Sequence, residues 1–176
     1  MSLYTPEGLA KGREFKDSFP FAGCSENANI IAQRMIKSPI LCKLLSYGDS
    51  GCLARQIVPD SEKVKLLNKN IRIIPYIPKE TDMINYVVIQ FDNFVKSPRT
   101  NLVTNYIVVD VICHIDSWLL DGGKIRPYMI MDQVHNVLAD SKLTGMGPVE
   151  FISAQQLLVS PTMAGFTMIY EVGDIV

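Results

Sequence analysis

The sequence predicts an α/β (α+β) fold, a single antiparallel or mixed sheet of about five strands with helices packed on one face. Three observations carry this reading. Residues 85–95 and 105–116 alternate apolar and polar side chains with the period of two that marks a half-buried strand. The segment opened by Pro127 instead spaces Ile130, Met131, Val134, Val137 and Leu138 at the helical period, with Asp132, Gln133, His135 and Asn136 on the other side. The segments run in the order helices, three strands, a helix and two strands, which suits one sheet with one-sided helices.

A chain of 176 residues is the size of one domain, and a domain of this size hides roughly 70% of the surface its unfolded chain exposes. With 17 Lys and Arg against 18 Asp and Glu, no global field drives it onto nucleic acid or an anionic membrane. The 48% apolar content and a mean hydropathy of +0.16 predict apolar surface left over after the core is filled, and so self-association. No run approaches the ~20 apolar residues of a bilayer span. The first residues, Met1 to Glu7, lack the basic and then apolar pattern of a signal peptide. A soluble protein made and kept in the cytosol, without membrane contact, is the expectation. Cys24, Cys42, Cys52 and Cys113 show neither zinc-knuckle spacing nor the density of a disulfide scaffold and read as buried thiols.

Residues 1–24 mix Gly, Pro, Lys and scattered Phe without a period and read as an irregular N-terminal arm, leaving 25–176 as a single α/β domain. Ser25 is placed as the N-cap of a helix through Ile30, Ile31 and Met35, and Ser38 as the cap of a second helix opened by Pro39, with Leu41, Leu44 and Leu45 inward. A turn-rich connector leads to a short amphipathic helix near Val64 and Leu67. Ile71 to Ile74 begin the β region, and Pro75 and Pro78 assign that strand to an edge. Residues 85–95 and 105–116 then form an antiparallel hairpin. Its buried side holds Val87, Ile89, Phe91 and Val95, then Ile107, Val109, Val111, Cys113 and Ile115. Gly145-Met146-Gly147-Pro148 stops the 127–139 helix, and strands near 149–159 and 166–172 follow, joined by a turn at Ser160-Pro161-Thr162. A fully buried Phe91 would lose ~3–5 kcal/mol on truncation to Ala.

Chemistry is sparse. Phosphate loops, dinucleotide fingerprints, zinc-protease helices and serine elbows are all absent. His114 and Asp116 would share a strand face with Asp110, an arrangement able to hold a metal or act as a base in a small hydrolase. With only 2 histidines in the chain and no nucleophile nearby, a half-exposed polar face with local ion pairing is the better reading. Lys63, Lys65 and Lys69 read as solvated charge before they read as a phosphate-facing patch. No catalytic residue, cofactor or metal ligand is assigned, and the chain is not expected to be an enzyme.

Several segments together resemble the tail-terminator and neck proteins of tailed bacteriophages. They are Ile31 to Leu45 with Leu41-Cys42-Lys43-Leu44-Leu45, the run from Tyr106 to His114 followed by Trp118, Arg126-Pro127-Tyr128 opening its helix, and Ala164 to Val172. The likeness covers residues 25–176 and rests on pattern and order. It implies a structural virion protein, a subunit of a ring, usually hexameric, that caps the tail tube and joins the tail to the head or neck. The implied partners are copies of itself, the tail tube protein, neck and connector proteins, and genomic DNA passing through the ring lumen. A head-completion, stopper or connector protein of the neck is the neighbouring alternative. The tip of the hairpin, with Lys96, Arg99 and Asn101, is the candidate interface, since it would give a nearly neutral protein a local positive point.

Overall fold

The computed structural model describes residues 21–75, 84–96, 103–139 and 148–172, with the backbone alone at 21, 22, 95, 96, 103 and 104. Its element order is α1 (Phe21–Met35), α2 (Pro39–Ser46), α3 (Asp60–Leu66), β1 (Ile71–Arg72), β2 (Tyr86–Lys96), β3 (Val103–His114), α4 (Arg126–Ala139), β4 (Val149–Leu158) and β5 (Met163–Val172). The strands form one mixed five-stranded sheet in the order β1-β2-β3-β5-β4. Only the β1–β2 pair is parallel. The α+β architecture expected from the segment order is the one observed.

The first helix corrects the sequence reading. Phe21 to Cys24 are helical, so the irregular arm does not reach residue 24, and Ser25 lies inside α1 instead of capping it. The helix buries Cys24, Ala28, Ile31, Ala32 and Met35, a repeat at three- and four-residue intervals. Its first members are small side chains, which give little hydrophobic signal although they pack against the sheet. Residues 1–20 lie outside the described residues.

Ser38 caps α2 as expected: its hydroxyl oxygen accepts from the Leu41 amide at 3.2 Å, and Pro39 occupies the first turn. The same hydroxyl donates to Gln133 Oε1 at 2.8 Å, tying α2 to α4. In α3 the inward residue is Leu66, whereas Val64 points to solvent, contrary to the amphipathic face read from sequence.

Strands β2 and β3 make the expected hairpin, with Val87 opposite Val111 and Ile89 opposite Val109. A bulge between Asp92 and Val95, with Asn93 in the left-handed region at φ 53°, interrupts the alternation read from sequence, and the side chain of Val95 lies outside the described residues. Ile115 is a second correction. The strand ends at His114, Ile115 to Ser117 form a 3-10 turn, and Ile115 is exposed. β1 lies at the sheet edge as expected, but it is only Ile71–Arg72, shorter than the Ile71–Ile74 strand read from sequence; Pro75 lies beyond it and Pro78 outside the described residues.

The main core lies between the sheet and the helices α1, α2 and α4. Val87, Ile89, Ile107, Val109, Val111, Met168 and Tyr170 supply its floor, and Ile31, Met35, Ile130, Val134 and Leu138 its roof. The opposite face is not the polar surface that was expected throughout. At one end Tyr86, Val88, Ile112 and Met163 form a second buried apolar cluster, with Ile84, Leu157 and Val159 packed against it.

Strand β5 starts at Met163, three residues ahead of Phe166, and runs between β3 and β4. Its Gly165 passes so close to β3 that an added Cβ would lie 1.7 Å from the Val111 carbonyl oxygen, a position only glycine can fill.

Candidate functional site

The acid-base candidates do not assemble. His114 Nδ1 accepts the Asp116 amide at 3.3 Å and lies 3.6 Å from Asp116 Oδ2, a local contact across the end of β3. Asp110 is engaged elsewhere, accepting the Thr167 hydroxyl at 2.6 Å across the sheet. Among the described residues no three His, Cys, Asp or Glu side chains converge as a metal site. The basic stretch on α3 is neutralised locally, with Lys63 on Asp60 at 2.7 Å and Lys65 on Glu62 at 2.6 Å. The Lys63 ammonium holds the Asp60 carboxyl below its usual range by hydrogen bond and charge. A cleft of about 320 Å³ beside these residues is lined by Ser46, Tyr47, Glu62, Lys65, Lys69 and Asn85 among others. The hairpin-tip candidates Lys96, Arg99 and Asn101 lie outside the described residues apart from the Lys96 backbone, which pairs with Val103.

The largest fully buried side chain is that of Arg126, at 0% exposure. Its Nε donates to the Ser117 carbonyl at 2.6 Å, Nη1 to those of Leu44 and Tyr47 at 2.7 Å each, and Nη2 to that of Asp49 at 2.6 Å. Buried cations normally need a carboxylate. Here the carbonyl ends of the α2 C-terminus and the turn after it supply the negative potential. Asn85 and Asn70 extend the network, donating to the carbonyls of Leu44 and Leu45 at 3.2 and 3.1 Å, while Ser117 Oγ meets Asn85 Oδ1 at 2.8 Å. Through these four bonds to the main chain, Arg126 is a clasp that fixes α2, the 47–49 turn and α4 on the sheet. Sequence reasoning noted Arg126 only as a helix opener, because nothing in its neighbours signals burial.

Among the described residues no strand pairs with the outer side of β4. This ten-residue strand lies at the sheet edge, hydrogen-bonded to β5 on one side. Glu150 is its single charge, and it contains no Lys, Arg or Pro. Exposed edges are usually guarded by such residues or by bulges. β4 has a bulge near Ile152, between Phe151 and Ser153, and nothing of the kind from Ser153 to Leu158. Leu158 is 72% exposed, Ile152 49% and Phe151 46%.

Aromatic side chains border this edge on the helix side. Phe151 packs edge-on against Tyr170, ring centroids 5.4 Å apart, and against His135 at 5.8 Å. Further along, Phe166 contacts Tyr128 at 5.1 Å and Trp118 at 6.3 Å, and Tyr128 is exposed. α4 packs over β3, β4 and β5, yet Phe151, Ile152 and Leu158 of β4 stay exposed. The exposed apolar side chains of β4 thus lie along the outer strand of the sheet.

The model of the YomW family matches residues 38–172, well over half of the 176-residue chain. The chain belongs to the YomW family. YomW is a phage-like gene family of the Bacillus SPbeta type, which makes this a phage-derived protein. The matched region runs from the Ser38 cap to the end of β5 and so contains both the Arg126 clasp and the β4 edge. No curated protein matches the chain. Among the described residues no helix is long and apolar enough to cross a membrane.

Proposed function

We propose that this YomW-family protein is a structural subunit of a tailed-phage virion, a tail terminator that forms a ring on the tail tube and joins the tail to the head or neck. Its work lies in contacts and not in catalysis. The observation that carries this reading is the open β4 edge with Phe151, Ile152 and Leu158 exposed along a nearly uncharged strand. Such an edge costs solubility unless a partner takes it up. Membership of a phage-derived family supplies the setting, and the pattern of the segments from Leu41 to Val172 supplies the likeness to tail terminators. A ring uses one heterologous contact repeated around a closed axis, with hexameric closure the expected number. The tail tube and the neck proteins would lie on its two faces, with genomic DNA passing through the lumen.

Fractionating particles tests this reading. The protein should co-purify with tails made without heads, and native mass measurement with added tail tube protein should show a ring. Recovery with DNA-filled heads made without tails would assign it to the head side, as a stopper or connector. Absence from every particle fraction would remove the virion role.

A further inference from the structure

Within β4 the stretch 151–158 is symmetric in composition, with Val149 and Glu150 ahead of it. An apolar pair, Phe151-Ile152, is followed by Ser153-Ala154-Gln155-Gln156 and then by a second apolar pair, Leu157-Leu158. Read from either end this stretch runs apolar, polar or small, apolar. Antiparallel pairing sets residues at equal distances from the centre beside one another.

We propose that the free protein pairs with a second copy of itself, β4 against β4 in antiparallel fashion across a two-fold axis, joining the two sheets into one. In that arrangement, centred on Gln155, Ile152 of one copy lies opposite Leu158 of the other, and the two Gln155 residues meet at the axis. The charge pattern favours the same choice. The two Glu150 carboxylates fall at opposite ends of the pair, each beside the other copy's Ser160-Pro161 turn, whereas parallel pairing would set them side by side. Cross-strand contact between apolar side chains is favourable and like charges opposite one another are not. The pair is isologous, unlike the heterologous contact of a ring, so it goes beyond the ring reading. It is the form in which the edge is kept from aggregation before assembly begins.

The test uses the full chain. Mass measurement by light scattering at high micromolar concentration should give a dimer. Placing a cysteine at Ala154, Gln155 or Gln156 in turn should give a disulfide-linked dimer at one or more of these positions on mild oxidation, because only residues near the axis meet their own copies. The background is low, since the four native thiols are buried. Glu26→Cys, exposed on α1, should stay monomeric under the same oxidation. The double variant Ile152→Lys, Leu158→Lys should be monomeric with an unchanged circular dichroism spectrum. A monomeric parent protein overturns the proposal. So does a dimer that survives both lysines and is trapped by none of the three cysteines. The ring stands or falls separately: a solution dimer absent from particles keeps the pair and removes the ring, and a monomer that rings on tails does the reverse.

Discussion

Arg126 donates from Nη1 to the carbonyl of Leu44 at 2.7 Å, and with that bond the start of α4 is fastened to the end of α2. The contact is one of four that the guanidinium makes to main-chain oxygens. A lysine keeps the charge but cannot reach four carbonyls in a fixed fork. Arg126→Lys is therefore expected to destabilise the fold by about 2–4 kcal/mol, the cost of leaving buried carbonyls unpaired. Urea unfolding checks this, and a loss below about 0.5 kcal/mol, the range of ordinary surface changes, would show that the clasp is dispensable.

Gly165 offers a sharper case. Its missing side chain makes room for the Val111 carbonyl, which would lie 1.7 Å from an alanine Cβ. Both atoms belong to paired strands at the centre of the sheet, so neither can move without breaking ladder bonds. Gly165→Ala should cost at least the about 1–3 kcal/mol typical of overpacking, or prevent folding. The same substitution at Gly23, where a Cβ would meet nothing within 4 Å, should be tolerated.

Phe91 is half-buried at the margin of the core and not fully enclosed. Phe91→Ala should accordingly cost about 1–3 kcal/mol, less than the ~3–5 of a sealed phenylalanine. Ile130→Ala, at a fully buried position on α4, should cost about 2–5 kcal/mol. Reversal of that order would mean that the sheet face is wrongly assigned.

Alkaline pH should act through the core. Burial pushes the Cys113 thiol from 9.0 up to about 12 and raises the Tyr170 hydroxyl as well. Both groups are neutral when protonated, so the unfolded chain gives up their protons first. Their contribution to stability is complete below pH 9 and is lost progressively as pH rises from 9 towards 12. Cys113→Ser should change the absolute stability yet flatten part of this alkaline slope. Thermal melts across that range decide the matter.

Much of the fold was legible in the sequence because period-two and period-3.6 patterns survive wherever the buried residues are large. Val87, Ile89, Val109 and Val111 announce their face, and Ser38-Pro39 announces a helix start. The reading failed where the signal is carried by small residues, as in Cys24 and Ala28 of α1, or where backbone geometry intervenes, as at the Asn93 bulge and the 3-10 turn that exposes Ile115. The second apolar cluster was missed because Tyr86, Val88 and Ile112 share their strands with polar Gln90 and Asp110 on the same face. The site was barely legible. A free edge is a property of strand order, and nothing in the sequence from Val149 to Leu158 says that β5 inserts between β3 and β4 to leave that strand outermost.

The central claim is that this phage-derived chain is a particle component whose β4 edge is an assembly surface. High-resolution imaging of intact phage tests it most directly. The account predicts a ring of this protein at the junction of tail and head, with Phe151, Ile152 and Leu158 buried against a neighbouring subunit. A particle without the protein, or one that holds it with those three side chains open to solvent, would contradict the account.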